Sequence, residues 1–286
     1  MKVLVTGAGG MLGQAVTRAA RNREWEVIPL DRDALDVSDP HAVASTVARV
    51  RPQAVLHCAA FTHVDRAEAE EPRAFAVNAL GAAHVAHAAA DAGARMLHVS
   101  TDYVLDGRGS VPHPTDSIPS PVGAYGRTKL AGEWAVQAAV DDWLVVRTSW
   151  LYGAGGPNFV DTMDRLARSH PRLRVVNDQR GRPTWTGSLA PTLLDLLEHE
   201  ARGIYHVCDG GEATWFELAQ AVLRARGLKT PMEPVTTEEY GAPAPRPGYS
   251  VLDVSAAEAL LGRTFPHWKG MLDRYLEIHS SPEESL

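Results

Sequence analysis

Met1-Lys-Val-Leu-Val-Thr-Gly-Ala-Gly-Gly-Met-Leu-Gly13 opens the chain, and its reading decides the fold. Lys2–Thr6 is a short apolar run rich in β-branched residues, the pattern of a buried strand, and a helical pattern starts at Met11. Between them Gly7, Gly10 and Gly13 recur at every third position. A strand that enters a glycine turn and leaves as a helix is built to meet a diphosphate: glycine lets the backbone come close, and the free amides and dipole of the helix start hold the anion. The amides of Gly7, Gly10, Met11, Leu12 and Gly13 are therefore the expected phosphate contacts. The spacing departs from the commoner Gly-x-Gly-x-x-Gly, because Leu12 takes the last glycine place counted from Gly7 and Gly9.

Working outward, strand-like runs at Glu26–Leu30, 54–58, 95–100 and 144–148 alternate with helical stretches from about Met11, Pro40, Pro72 and Ala124. That alternation predicts an α/β fold of Rossmann type, a doubly wound parallel sheet whose ligands lie at the carboxyl ends of the strands. Beyond Gly153 the pattern loosens. Strands are expected near 173–176 and 204–207, helices near 159–169, 188–198 and 214–226, and a proline-rich stretch runs from Pro231 to Pro247. Residues 1–157 form the expected dinucleotide-binding core, joined by strands near 172–177 and 203–208. Residues 158–171 and 178–286 make a smaller, interleaved substrate lobe.

Composition narrows the partners. The 286 residues are 45% hydrophobic and 22% charged, as in an ordinary globular chain, and 28 basic against 35 acidic side chains leave a net charge of −7. No basic stripe is available for nucleic acid. No leader or long apolar span is evident, so the expectation is a cytoplasmic protein with no membrane partner. Cys58 and Cys208 both fall in or beside buried-strand patterns, which makes them reduced core thiols rather than a bridge. His84 and His87 share a helix with no third ligand nearby, and no metal site is expected.

Asp31 ends the second strand eighteen residues after Gly13, where a carboxylate can accept from the hydroxyls of an adenine ribose. Arg32 follows and can instead pair with a 2′-phosphate, so either NADPH or NADH fits, with NADPH taken first and use of both left open. In Ala124-Tyr-Gly-Arg-Thr-Lys-Leu-Ala-Gly-Glu133, Tyr125 and Lys129 stand one helical turn apart on one face. A phenol with a cation that close is a proton-donating device, since the cation would lower its pKa from near ten. Thr101, in Ser100-Thr-Asp-Tyr103, closes the fourth strand and brings a hydroxyl to the same sheet edge.

Together the glycine turn, Thr101 and the Tyr125/Lys129 pair resemble the extended short-chain dehydrogenase/reductases that act on nucleotide sugars. Ser100-Thr-Asp-Tyr-Val-Leu-Asp-Gly107, Arg147-Thr-Ser-Trp-Leu-Tyr-Gly153, Asp178-Gln-Arg-Gly-Arg-Pro-Thr184 and Arg246-Pro-Gly-Tyr-Ser-Val-Leu-Asp253 are similar to stretches of the dTDP-4-dehydrorhamnose reductase family within it. The resemblance implies NAD(P)H-dependent reduction of the 4-keto group of a dTDP-6-deoxyhexulose to dTDP-L-rhamnose. By it, Tyr125 gives the proton, Lys129 holds the nicotinamide ribose and Thr101 polarises the carbonyl. Asp36, Val37, Ala59, Ala60 and Phe61 would line the cofactor cleft; Asp102 and Tyr103 would lie beside the sugar, Trp150 would wall its pocket, and Arg246 would clamp the diphosphate. Some of these reductases dimerise through a glutamate-bound magnesium shortly after the matching Pro-Thr. Here Trp185-Thr-Gly-Ser-Leu189 has no carboxylate, so a homodimer stays open but not by that route.

Related activities are weighed by single residues. Tyr103 stands where 4,6-dehydratases carry the glutamate that takes the C5 proton, which argues against elimination. A sibling dTDP-4-keto-deoxysugar reductase of an antibiotic pathway, such as a dihydrostreptose synthase, is the nearest alternative. A regulatory subunit of the methionine adenosyltransferase type would have no need to keep Thr101, Tyr125 and Lys129 together.

Overall fold

The computed structural model describes residues 1–279, and the last residues of the expected second lobe, 280–286, lie outside the described residues. In chain order the first half runs β1 (Lys2–Thr6), α1 (Met11–Arg21), β2 (Glu26–Leu30), α2 (Pro40–Val50), β3 (Ala54–His57), α3 (Val64–Ala69), α4 (Glu71–Phe75), α5 (Gly81–Asp91), β4 (Arg95–Thr101), α6 (Ala124–Ala139) and β5 (Trp143–Thr148). The second half adds β6 (Leu151–Tyr152), α7 (Phe159–Ser169), β7 (Leu173–Val176), β8 (Arg180–Gly181), β9 (Thr184–Trp185), α8 (Thr186–Glu198) and β10 (Gly203–His206). It ends with β11 (Ala213–Thr214), α9 (Trp215–Ala225), β12 (Met232–Val235), α10 (Thr237–Tyr240), α11 (Ser255–Leu261) and α12 (Trp268–Ile278). Among the described residues no helix is long and apolar enough to cross a membrane.

Six parallel strands form the central sheet in the order β10-β5-β4-β3-β1-β2. Chain direction across the sheet reverses at β1, so the glycine turn after β1 sits at the switch point where such sheets bind ligands. Because side chains alternate along a strand, the sheet offers two distinct faces. On one, Val3, Val5, Leu56, Leu97, Leu144 and Val146 pack against the apolar stripes of α1 and α8. On the other, Leu4, Val55, Met96 and Val145 pack against α2, α5 and Val136 of α6.

The strand near 172–177 departs from expectation. β7 does not join the core sheet; it pairs in parallel with β12, from within the proline-rich stretch. An apolar run fixes strand character but not its partner. β7 instead shares a separate core with Tyr152, α7, α9 and α12. The strand near 203–208 does join the sheet, as β10 beside β5.

Candidate active site

The glycine turn fits a dinucleotide on its own geometry. Gly7 has φ +66°, and a Cβ there would come within 2.6 Å of the Ala59 backbone; a Cβ at Gly13 would come within 2.2 Å of the Gly7 carbonyl oxygen. Only glycine lets β1, β3 and α1 meet this closely. Gly10 caps α1 in an extended conformation with no side-chain acceptor for the first-turn amides, so those donors are free for an anion. Gly9 and Gly10 are exposed, whereas the Leu12 side chain is buried in the core and only its backbone faces the turn.

Asp31 stands against this turn: a Cβ at Gly9 would lie 3.1 Å from the Asp31 Cβ, and the carboxylate accepts from the Ala34 amide at 2.9 Å. Arg32 is exposed, and its charge helps hold the Asp36 carboxyl below its ordinary range, after the hydrogen bonds from Ser38. Val37 is buried; its carbonyl accepts from His84 at 3.0 Å, so that histidine belongs to the fold rather than to an open helix surface. Ala59 lies under Gly7 with Ala60 beside it in the chain, both half-buried. Phe61 packs with Ala67, Ala74 and Ala124, against Tyr125, and its amide donates to Asn78 at 2.8 Å.

α6 and β4 bring the reactive groups together. Tyr125 opens α6, and its ring meets Tyr103 edge-on at 5.6 Å. Thr101 ends β4, accepts from the Tyr103 amide and donates to Asp102 Oδ1 at 3.0 Å. Burial pushes the Tyr125 phenol up to about 12; the Thr101 hydroxyl pulls it back, and the Asp102 charge adds to the rise. Lys129 does not set that value. Its ammonium is buried and turned to the sheet, donating to the Val99 carbonyl at 2.7 Å with His98 Nε2 at 3.4 Å. The expected lowering of the phenol pKa by Lys129 is not seen: desolvation sets the phenol's value, while the ammonium turns two of its three donors to the sheet below. The same burial brings Lys129 down to about 8.

Asp102 is 1% exposed. Burial pushes its carboxyl up to about 7, against hydrogen bonds from Ser250 and Thr101. Ser250 and Arg246 arrive from the far half of the chain. The Arg246 guanidinium pairs with Asp65 at 2.9 Å and donates to the Ala244 carbonyl, and its charge opposes the rise that burial imposes on the Tyr103 phenol. Trp150, with φ +48°, stacks flat on Trp215 at 3.6 Å and 4°, and its indole fills the space where a Gly181 side chain would be. Tyr103, Asp102 and Arg246 thus converge beside Tyr125, while Trp150 belongs to an aromatic stack of the second lobe.

Sequence reading missed the supports. Asn78 bridges Phe61 and Thr128. Glu133, four residues beyond Lys129, takes a bidentate bond from Arg147 of β5 and another from Ser100. Helical spacing places Glu133 on the buried face, and that was the available signal. His57, His98, Asp65, Ser250 and Trp215 carry no local signature. Both cysteines are free. Among the described residues no cluster of three or more metal-ligating side chains occurs.

Comparison with known proteins places this arrangement. The family model described as RmlD substrate binding domain matches residues 1–280. A dTDP-4-dehydrorhamnose reductase of Streptomyces griseus is 45% identical over 276 residues, covering 94% of this chain and 91% of that protein. A dTDP-4-keto-6-deoxy-D-glucose reductase of Streptomyces niveus is 39% identical over 282 residues, 98% of each. The crystal structure of a Bacillus anthracis dTDP-4-dehydrorhamnose reductase in complex with NADP superimposes with a TM-score of 0.94 at 38% identity, covering 97% of this chain and all of that one. Two independent sequences and one structure agree across nearly the whole length, with the Rossmann sheet and its glycine turn in place: the chain belongs to the RmlD family of dTDP-4-dehydrorhamnose reductases.

Proposed function

We propose that this enzyme reduces the 4-keto group of dTDP-6-deoxy-L-lyxo-4-hexulose to give dTDP-L-rhamnose, with NADPH or NADH as reductant and NADPH the first choice. The observation that carries the reading is the convergence of Tyr125, Thr101 and Asp102 at the carboxyl edge of the sheet, beside a glycine turn with free amides. The Gly10 amide is taken by the Gly7 carbonyl at 3.0 Å, so the first-turn amides of Met11, Leu12 and Gly13 hold the diphosphate, Asp31 faces the adenine ribose, and the remaining donor of Lys129 faces the nicotinamide ribose. The bound dinucleotide supplies the hydride, from C4 of its nicotinamide.

Thr101 orients the ketone oxygen and meets the charge that develops on it. Tyr125 then gives its proton to that oxygen. A phenol held near 12 is fully protonated at neutral pH, and a sugar alkoxide is the stronger base, so donation runs downhill. Tyr103 and Asp102 flank the sugar. Trp215 covers one face of Trp150 and Gly181 packs against the indole, so Trp150 contributes to the pocket wall through its remaining edge. Arg246 exchanges Asp65 for the substrate diphosphate, a two-point contact that suits a guanidinium. We place the reaction in the cytoplasm.

The test follows NAD(P)H oxidation by absorbance with the L-lyxo-hexulose generated in place from dTDP-glucose. Oxidation with dTDP-L-rhamnose as product supports the reading. A second reading, a sibling reductase of another dTDP-4-keto-deoxysugar, is favoured by the name and 39% identity of the Streptomyces niveus relative. Oxidation with dTDP-4-keto-6-deoxy-D-glucose and not with the L-lyxo sugar would select it.

A further inference from the structure

Beneath the active site the sheet carries a row of buried polar groups. Thr6, His57 and His98 are register partners on β1, β3 and β4, and all three point to the face covered by α6. One rung earlier that face is apolar, with Leu4, Val55 and Met96. Thr6 Oγ1 lies 2.7 Å from His57 Nδ1, the two imidazoles stack at 5.2 Å, and His98 Nε2 lies 3.4 Å from the Lys129 ammonium. The row runs from the residue before the glycine turn to the lysine of the reactive helix.

Both rings are at most 1% exposed, and His57 Nε2 and His98 Nδ1 have no partner. Unpaired imidazole nitrogens in a core cost free energy that leucines would not. An ammonium has no lone pair, so beside charged Lys129 the His98 Nε2 can only accept, and the ring proton stands on Nδ1. We propose that His98, backed by His57, is a positioning residue for Lys129: an imidazole that stays uncharged, holds the ammonium with the Val99 carbonyl, and keeps it protonated where a cofactor ribose would meet it.

The charges around the row fit that role. From α6, Glu133 favours the charged lysine, whereas the Cys58 thiol beyond β3, pushed up to about 12 by burial, is neutral and adds no charge. His98 is held far below its ordinary range by burial, then by Lys129 and His57; His57 is brought to about 3 by burial and Lys129. Both rings are therefore uncharged at neutral pH. A neutral acceptor contributes a dipole without cancelling the cation, whereas a carboxylate there would neutralise it.

The inference rests on Lys129 facing the nicotinamide ribose, and the test separates the two. The chain has four lysines, Lys2, Lys129, Lys229 and Lys269, and of these only Lys129 is buried. In protein labelled with 13C at lysine Cε, the Lys129 signal reports its protonation directly. We expect His98→Leu to lower the Lys129 pKa by about one unit, a tenfold change, with the alkaline limbs of kcat/KM and of NADPH affinity moving equally. His98→Gln offers a side-chain carbonyl and should restore all three. An unmoved Lys129 titration in folded His98→Leu, or a glutamine variant shifted as far as the leucine one, overturns the proposal. A shifted Lys129 signal without any change in the pH dependence of NADPH affinity upholds the contact and instead overturns the ribose assignment.

Discussion

The two faces of the central sheet are built from the same six strands for different ends. The α1/α8 face is apolar through its middle, from Val3 and Val5 to Leu97 and Val146, with Arg95 at one rim bonding the Leu197 and Ala201 carbonyls at the end of α8. The α6 face is apolar for its first rungs and then turns polar, with Thr6, His57, His98, Ser100 and Arg147 answering Lys129 and Glu133 of the helix that carries Tyr125. An apolar face fixes a helix by area and tolerates small slides, whereas a face with ion pairs and directional bonds fixes its register. The lesson is that stability is spread over both faces, while positional accuracy is concentrated under α6.

The largest test of that contrast is Tyr125→Phe, expected to lower kcat by roughly 10²–10⁴ through loss of the proton donor while stability and NADPH affinity hold. Near-native turnover would remove the reason for the polar face. Next comes Glu133→Ala, which strands the buried Arg147 charge and should cost about 3–5 kcal/mol in urea unfolding, with kcat falling as α6 loses its anchor. On the other face Leu56→Ala should cost about 2–5 kcal/mol yet leave kcat per folded molecule unchanged. A Leu56 variant that lost turnover as Glu133 does would break the comparison.

Titration sharpens it further. Asp102 has a folded pKa near 7 against an unfolded value near 4, so its contribution is present below pH 4 and lost as pH rises through 7. His57, held near 3 against 6.5, gives stability that is present above 6.5 and lost as pH falls toward 3. Unfolding of Asp102→Asn between pH 4 and 8 should therefore retain the rise from the histidine and lose the decline from the aspartate. Equal slopes in the two proteins would show that Asp102 is solvated. The smallest effect is expected at the sheet edge: Asp31→Ala should weaken NADH binding roughly tenfold or less, and NADPH less than NADH. Equal losses would place Asp31 away from the ribose.

What the sequence made legible was local. The glycine turn and the Tyr125/Lys129 face are set by spacings of a few residues, and the strands and helices of the first half follow from periodicity. The strand at 173–176 was visible, but its partner, Met232–Val235, lay in a stretch whose prolines masked it, although Thr236 and Glu239 there form a capping box of recognisable spacing. The direction of the Lys129 side chain was not legible, because Val99 and His98 reach it only through the sheet. Nor was the flat stack of Trp150 on Trp215, sixty-five residues away. Long-range pairings of this kind leave no mark on neighbouring positions.

The anchoring of α6 also bears on how such a protein changes over generations. Glu133, Arg147, Ser100, His98 and Asn78 all lie within the first 150 residues, whereas Arg246, Ser250 and Trp215 lie beyond residue 210. Substitutions at those later positions therefore change the walls of the sugar pocket while the contacts that seat the helix of Tyr125 stay in place.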